Sequence, residues 1–231
     1  MEKSLEHANE LEELANKKGI AIVEPFQGDH GYDGILKVLG PSKEYYQQLL
    51  PNFRTTPEPI KSVGLLAPAF KVVQEVAKKI QDFWHIDILD DDEDTTSAEN
   101  NSSTILLFNF DGQKVLFTAD AGKTALHLAS DYANSQGIPL TDLHILDVPH
   151  HGSKRNLSSK VLAKIKAVNA FISAPKDSPK HPAKKITNAL KKQGTKVYLT
   201  RGVGLCYPFD PATRPNWSAA VEEPYHDFIE E

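Results

Sequence analysis

The sequence is poor in cysteine and has no long apolar run. Cys206 is the only cysteine among 231 residues, which excludes an internal disulfide and a zinc site built from several cysteines. No apolar run approaches the roughly 18 residues that a membrane-spanning helix needs. The N-terminal stretch MEKSLEHANELEELANKK lacks the basic start and apolar core of a signal peptide. These absences favour a cytoplasmic protein.

Charge is distributed unevenly along the chain. The net charge is −5, and hydrophobic residues at 40% with charged residues at 25% are ordinary for a globular protein. From Met1 to Asn100 there are 19 acidic and 10 basic residues, whereas from Lys154 to Arg201 there are 13 basic residues and one acid, Asp177. Lysines on the solvated faces of helices explain this bias. A positive rim for an anionic substrate such as a phosphodiester is a compatible explanation.

Residues 1–99 are predicted to form a partial fold of helices and short strands. An apolar stripe at helical spacing predicts a helix over residues 2–17. Further elements are predicted as strands at 19–24 and 35–39, a helix capped by Ser42 and a helix over 68–84. The acidic run at 90–103 has no core-forming residue, so it indicates a solvated loop rather than a cation site.

Residues 100–207 change to an α/β pattern. TILLFNF and KVLFT flank an Asp111-Gly112 pair, which predicts a β-hairpin. Helices and strands then alternate, with helices predicted at 123–134, 158–168 and 182–194 and strands at 143–148, 169–173 and 196–200. Residues 208–231, rich in proline and acidic residues, are predicted to form a loosely held tail.

Residues with metal-binding and acid–base chemistry follow the predicted strands. Asp120 ends VLFTAD, His150 and His151 follow LHILDV, and His181 follows NAFIS. Ligands of open α/β sheets bind outside the carboxyl ends of the strands, and zinc accepts carboxylate and imidazole ligands. Each residue also has a simpler interpretation, as a turn residue for the aspartate or as surface histidines.

The order of these motifs resembles the metallo-β-lactamase superfamily, and most closely the hydrolase domain of ComEC-type DNA-uptake competence proteins. The matching segments are GILKVLGP, NNSSTILLFNFDGQKVLFTAD, VPHHGS and SPKHP, followed by a helix and KVYLT. The resemblance covers about residues 33–207, and its most specific part runs from Asn100 to Pro182. It implies a metal-dependent hydrolase with two zinc ions, or manganese.

The resemblance also implies roles for individual residues. Asp120 would bridge the two metals, and His151 would be a metal ligand, with His150 as the alternative. Gly152 and Ser153 would shape the turn and contact substrate. His181 would lie at the mouth of the site. Asn100 and Ser103 would make polar contacts with substrate, because they stand where many superfamily members have a further histidine ligand.

The chain departs from the family pattern in two places. Ala119 replaces the usual glycine before the aspartate, and the signature H-x-H-x-D-H is absent, since His30 and His85 are isolated histidines. The expected fold is therefore α/β, the C-terminal half of an αββα sandwich, with a mixed sheet and flanking helices. We expect such a half to begin inside the fold, as a truncated reading frame or one of two pieces, and to expose an apolar sheet face. Alone, it would bind metal weakly.

Three functions remain open at this stage. The first is hydrolysis of a phosphodiester or nucleic-acid substrate, which the basic C-terminal region favours. The second is hydrolysis of a lactam or lactone, because one fold supports many chemistries. The third is a non-catalytic fragment or binding subunit, which associates with itself or with a separately encoded N-terminal half.

Overall fold

The structure is a computed structural model that describes residues 2–53, 89, 94–176, 178, 180–207, 217–227 and 229. The predicted helix over 68–84, His85 and residues 90–93 of the acidic run lie outside these residues. The rest of that run, predicted as a solvated loop, includes a short helix over Ala98–Asn101. No described helix is both long and apolar enough to cross a membrane.

A seven-stranded mixed sheet forms the centre of the fold, with helices flanking it. Its strands follow one another in chain order from β1 to β7. The first four are antiparallel neighbours, and β4 to β7 are parallel. The strands are β1 (His30–Gly31), β2 (Leu36–Gly40), β3 (Ile105–Phe110), β4 (Gln113–Phe117), β5 (Leu143–Asp147), β6 (Ala167–Ile172) and β7 (Lys196–Leu199). The prediction of a mixed sheet with flanking helices is confirmed.

Six α-helices are described, three of them in the crossovers between parallel strands. The helices are α1 (Glu2–Lys17), α2 (Lys43–Leu49), α3 (Ala98–Asn101), α4 (Lys123–Ser135), α5 (Ser159–Lys164) and α6 (Lys184–Lys192). Short 3₁₀ helices span Leu50–Asn52 and Pro149–Gly152. The predicted cap of α2 is confirmed, because Ser42 Oγ accepts a hydrogen bond from the Tyr45 N–H at 3.1 Å.

The hairpin between β3 and β4 also forms as predicted. Asp111 and Gly112 both have positive φ, 51° and 76°, and a tight two-residue hairpin turn with both central residues at positive φ is the kind that Asp-Gly favours.

The hydrophobic core lies between one face of the sheet and the crossover helices. Because β4 to β7 follow one another in chain order, right-handed crossovers place α4, α5 and α6 on the same face. Leu116, Leu146, Ala170 and Val197 align across these four strands and are completely or almost completely buried. In the described part of the chain, this face therefore carries a continuous apolar layer whose burial stabilises the fold.

Within the described residues, the opposite face of the sheet is only partly covered. Tyr207 packs against Phe171 and Tyr198, with ring centroids 5.6 and 5.3 Å away. On β3 and β4 the same face carries three exposed aromatic residues: Phe108, 37% exposed, Phe110, 57%, and Phe117, 44%. Residues 19–24, predicted as a strand, lie outside the sheet, and Ile20, Ile22 and Val23 are exposed.

Two further predictions need correction. The helix predicted over 158–168 ends at Lys164, because residues 167–172 form β6 between two parallel neighbours. The helix predicted over 182–194 begins at Lys184, two residues after Pro182.

The described part of the C-terminal segment is not a loosely held tail. Its strand β9 (Trp217–Ala219) pairs in parallel with β8 (Gly204–Cys206). The Glu223 N–H donates to the Val197 carbonyl at 2.7 Å, and the Glu223 carboxylate pairs with Arg201 at 2.6 Å. Asn188 and His226 exchange two hydrogen bonds of 2.8 and 2.9 Å. The segment is thus attached to β7 and α6.

Candidate active site

The candidate residues gather at the carboxyl ends of β4, β5 and β6. Asp120 lies three residues beyond β4, His150 and His151 occupy the 3₁₀ helix after β5, and His181 lies in the crossover that follows β6. The three imidazole rings form a triangle with centroid distances of 6.0 Å (His150 to His151), 5.8 Å (His150 to His181) and 6.4 Å (His151 to His181). The structure therefore brings together all three predicted histidines.

Hydrogen bonds join the loop of Asp120 to the loop of the two histidines. The His150 N–H donates to the Ala119 carbonyl at 2.9 Å, and Thr118 Oγ donates to the Asp147 carbonyl at 2.6 Å. Asn156, which is almost completely buried, donates from Nδ2 to the carbonyls of Asp120 and Ala121 at 3.0 and 3.1 Å. These bonds fix the backbone of Asp120 relative to the histidines.

The backbone of the histidine pair adopts a costly conformation. His150, His151 and Gly152 have φ values of 47°, 58° and 75°. Left-handed conformations of non-glycine residues cost free energy and concentrate at functional sites. A Cβ on Gly152 would lie 2.8 Å from the Pro182 Cβ, so this glycine allows the loop of His181 to approach the histidine pair.

His151 is held in an orientation that leaves one ring nitrogen free. Its Nδ1 lies 2.6 Å from the Ser173 carbonyl oxygen, and a carbonyl can only accept a hydrogen bond. Nδ1 therefore carries the proton, and Nε2 keeps its lone pair. A metal-binding histidine commonly donates its other nitrogen to a carbonyl in this way.

His150 has a different partner. The amide nitrogen Nδ2 of Asn100 lies 3.2 Å from its Nδ1. Asn100 is in α3, so the structure places this predicted residue directly against the histidine pair. The other residue from that motif, Ser103, donates its backbone N–H to the Asn100 carbonyl at 3.1 Å.

His181 has a buried nitrogen without a partner. Its Nδ1 makes no hydrogen bond within the described part of the chain. Burial lowers the pKa of His181, and electrostatic interactions with His150, His151 and Lys180 lower it further. The neutral imidazole is thus favoured, and the neutral form has a lone pair for a ligand.

Asp147 is a site residue that the sequence patterns did not identify. It is the last residue of β5, and burial raises its pKa to about 6. A hydrogen bond from the backbone of Thr118 and the electrostatic interaction with His151 act in the opposite direction, whereas the charge of Asp120 raises the pKa further. Asp147 therefore lies within electrostatic reach of both Asp120 and His151. Its only signal in the sequence is its place directly before VPHHGS.

Ser153 helps to shape the loop. It is buried, its N–H donates to the His150 carbonyl at 3.0 Å, and its Oγ accepts from the Arg155 N–H at 3.3 Å. Asp120 is half-buried, and its carboxylate makes no hydrogen bond or ion pair within the described residues. That carboxylate is thus available to a ligand.

The donor groups suit a metal in kind, but their number is incomplete. Among the described residues, no group of three or more His, Cys, Asp or Glu side chains is arranged to hold a metal ion. Three imidazoles sharing one zinc through bonds of about 2.1 Å would place their centroids roughly 5 Å apart, closer than the observed triangle. Among the described site residues, Asp120 and His151 offer unoccupied ligand atoms together with a backbone fixed by hydrogen bonds.

Four exposed cations surround these residues in the sequence. They are Lys154 and Arg155, which follow the histidine loop, and Lys176 and Lys180, which lie on either side of Ser178 before His181. None of them forms an ion pair within the ranges that the structure describes. The charge of Lys180 reaches the ring of His181, as the pKa of that histidine indicates.

Comparison of the chain with protein-family models, with curated proteins and with solved structures gives no match.

Proposed function

We propose that this protein supplies part of the active site of a metal-dependent hydrolase of the metallo-β-lactamase type, acting on a phosphodiester or nucleic-acid-like substrate. Asp120 and His151 would bind the metal, zinc or manganese. The other metal ligands would come from outside the described residues.

One observation carries the proposal. His151, with Nδ1 bonded to the Ser173 carbonyl, presents a free Nε2 in the same strand-end cluster as the unpaired carboxylate of Asp120. The hydrogen bonds around Ala119 and Asn156 hold both loops in place. Preorganised ligands of this kind increase metal affinity, because little conformational entropy is lost on binding.

A metal bound here would polarise a substrate oxygen and lower the pKa of a bound water. The residues of the chain have separate tasks. Asp120 and His151 bind, Asp147 places a second carboxylate beside them, and Gly152 with Ser153 keeps the loop in its strained conformation. His181 adds a neutral imidazole to the same cluster.

The cations favour an anionic substrate over a lactam or lactone. Lys154, Arg155, Lys176 and Lys180 are exposed and without ion-pair partners in the described residues, so their charge is available to a phosphate group. A phosphodiester gains from such a field, whereas a neutral lactone does not.

The proposal is tested by supplying an N-terminal half and measuring hydrolysis. The chain is mixed with an N-terminal metallo-β-lactamase half that carries H-x-H-x-D-H, and turnover of bis(p-nitrophenyl) phosphate is measured with zinc or manganese. We expect turnover in the mixture, little with the chain alone and none after chelation. A chromogenic β-lactam and a lactone are the competing substrates.

Substitutions identify the site in the same assay. We expect Asp120→Asn and His151→Gln to abolish turnover. His30→Gln should have no effect, because His30 lies on the edge strand β1, three strands away from β4. Turnover that survives Asp120→Asn contradicts the metal-binding role. Failure of the two halves to associate contradicts the complementation.

A second candidate is a binding subunit without catalysis of its own. The observation that favours it is the exposed aromatic face of Phe108, Phe110 and Phe117, since exposed aromatic patches mark interaction sites. The partner would be an N-terminal half of the same fold or a second copy of this chain. Light scattering after size-exclusion chromatography should show association that Phe110→Glu reduces. A monomer at all concentrations, alone and with the half, rejects this candidate.

A further inference from the structure

We infer that the adjacent histidines His150 and His151 are held in opposite tautomers, and that Asn100 sets the tautomer of His150 so that its Nε2–H donates a hydrogen bond to an anionic oxygen of the substrate. The role toward substrate rests on the proposed function, whereas the tautomers do not.

The two partners differ in hydrogen-bonding chemistry. The Ser173 carbonyl can only accept, so Nδ1 of His151 must be protonated. The amide nitrogen of Asn100 can only donate, so Nδ1 of His150 must be the acceptor. A neutral imidazole has one proton, which in His150 therefore sits on Nε2.

This arrangement gives the two rings separate functions. Nε2 of His151 has a lone pair and can bind a metal. His150 has no free lone pair, since Nδ1 accepts from Asn100 and Nε2 is protonated. His150 is therefore a hydrogen-bond donor rather than the alternative metal ligand that the sequence motif allowed.

The Nε2–H of His150 is available to a substrate. It has no hydrogen-bond partner among the described residues, and it is not one of their buried polar atoms that lack a partner. The ring lies within 6.0 Å of both other histidines, centroid to centroid, so its donor belongs to the same cluster. A fixed donor beside a metal ligand suits an oxygen that carries negative charge.

Asn100 acts through His150 and is thus a positioning residue. Hydrogen bonds fix the position of α3, which carries Asn100. Just before this helix, the Asp94 carboxylate accepts from the N–H groups of Thr96 at 2.9 Å and Thr124 at 2.8 Å. Ser97 caps α3 by accepting from the Asn100 N–H at 3.2 Å.

Nitrogen-15 NMR of the imidazole side chains reads the tautomers directly. Above about pH 8, where imidazoles are neutral, we expect His151 to show a bare Nε2 and His150 a bare Nδ1. Asn100→Asp replaces the donor by a carboxylate that only accepts, so His150 should invert to the Nδ1–H form while His151 stays unchanged. Asn109→Asp, the same change at an exposed position of β3, should alter neither ring.

The wild-type spectrum alone decides the assignment if Asn100→Asp does not fold. A protonated Nδ1 on His150 in the wild type, or no inversion in a folded Asn100→Asp, overturns the inference. A zinc titration in the same samples tests the proposed metal site separately from the tautomers. Zinc should shift Nε2 of His151 and leave His150 unaffected, whereas in Asn100→Asp it should also shift His150. If zinc shifts neither ring in the wild type, the metal site fails but the tautomers stand.

Addition of inorganic phosphate to the zinc-loaded wild type tests the donor role. We expect phosphate to shift the Nε2–H signal of His150 in the wild type, whereas in Asn100→Asp, where Nε2 of His150 carries no proton, that signal should be missing. An unchanged His150 signal at saturating phosphate overturns the donor role.

Discussion

His151 donates its Nδ1 proton to the Ser173 carbonyl oxygen across 2.6 Å. Ser173 directly follows β6, and His151 belongs to the loop after β5, so the bond joins two neighbouring strand ends. It fixes the ring and selects the tautomer whose Nε2 can bind a ligand. The proposed metal-binding role of His151 therefore depends on this bond.

The close approach of Gly152 to Pro182 makes a strong stability prediction. Gly152→Ala places a side chain on a residue with positive φ, and its Cβ would lie 2.8 Å from the Pro182 Cβ. We therefore expect the free energy of unfolding to fall by roughly 2–4 kcal/mol. Gly194→Ala is the matched control, because its φ is +83° but its Cβ would meet nothing within 4 Å. It should cost only about 1 kcal/mol. Equal losses in urea unfolding would show that the contact with Pro182 is unimportant.

The buried amide of Asn156 should support both stability and the position of Asp120. Asn156→Ala leaves the carbonyls of Asp120 and Ala121 without these donors, which we expect to cost about 2–4 kcal/mol. Zinc affinity should fall as well, since the loop of Asp120 loses its anchor. Asn134→Ala, at an exposed position of α4, should change stability by less than about 0.5 kcal/mol. A folded Asn156→Ala with wild-type stability would contradict this role.

Much of the fold could be predicted from local patterns. The Asp-Gly hairpin, the Ser42 cap and the strand–helix alternation after residue 100 are short-range signals, and each is confirmed. The strand predicted over residues 19–24 is wrong. The apolar composition of this segment is typical of strands, but in the structure it lies outside the sheet. The run KIKAVNAFIS suits a helix or a buried strand equally, and only the parallel pairing of β6 with β5 and β7 decides between them.

The closeness of the three histidines could be expected from their positions after the strands, and the structure places them together. Their interactions could not be predicted. The raised pKa of Asp147 depends on burial and on charges that lie 27 and 4 residues away in the chain, which no local pattern reveals. The attachment of the C-terminal segment through Glu223 is also a long-range effect.

Asp147 should give the metal-free protein a pH-dependent stability. Burial raises its pKa to about 6, above the unfolded value of about 3.9, so the folded state binds this proton more tightly. This contribution to stability is fully present below about pH 4 and is lost as the pH rises through about 6. Asp147→Asn removes the titration, so we expect its stability relative to wild type to rise by about 2 kcal/mol between pH 4 and pH 7.

Urea unfolding in the presence of a chelator measures that difference. All other titrating groups are shared by the two proteins, so the difference isolates Asp147. Asp111→Asn, at the exposed hairpin turn, is the control and should show no such trend. A difference between Asp147→Asn and wild type that is flat with pH would mean that Asp147 titrates normally.

The exposed cations should determine the salt dependence of nucleic-acid binding. Each phosphate contact to a single strand contributes about 0.7 to the slope of log affinity against log salt. We expect Lys154→Ala and Lys180→Ala each to flatten the slope by about that amount, measured by fluorescence anisotropy with a single-stranded oligonucleotide. Lys18→Ala, exposed near the end of α1, should leave it unchanged. Identical slopes in all four proteins would remove the support for an anionic substrate.

Zinc binding by the chain tests the metal-site proposal most directly. Isothermal titration calorimetry is carried out on the wild type, Asp120→Asn, His151→Gln and the control His30→Gln. We expect weak binding to the wild type and to His30→Gln, well short of the roughly 10–16 kcal/mol of a complete structural zinc site, because the described ligand set is incomplete. Asp120→Asn and His151→Gln should each abolish the binding heat. Unchanged binding in both of these variants would show that Asp120 and His151 do not bind the metal.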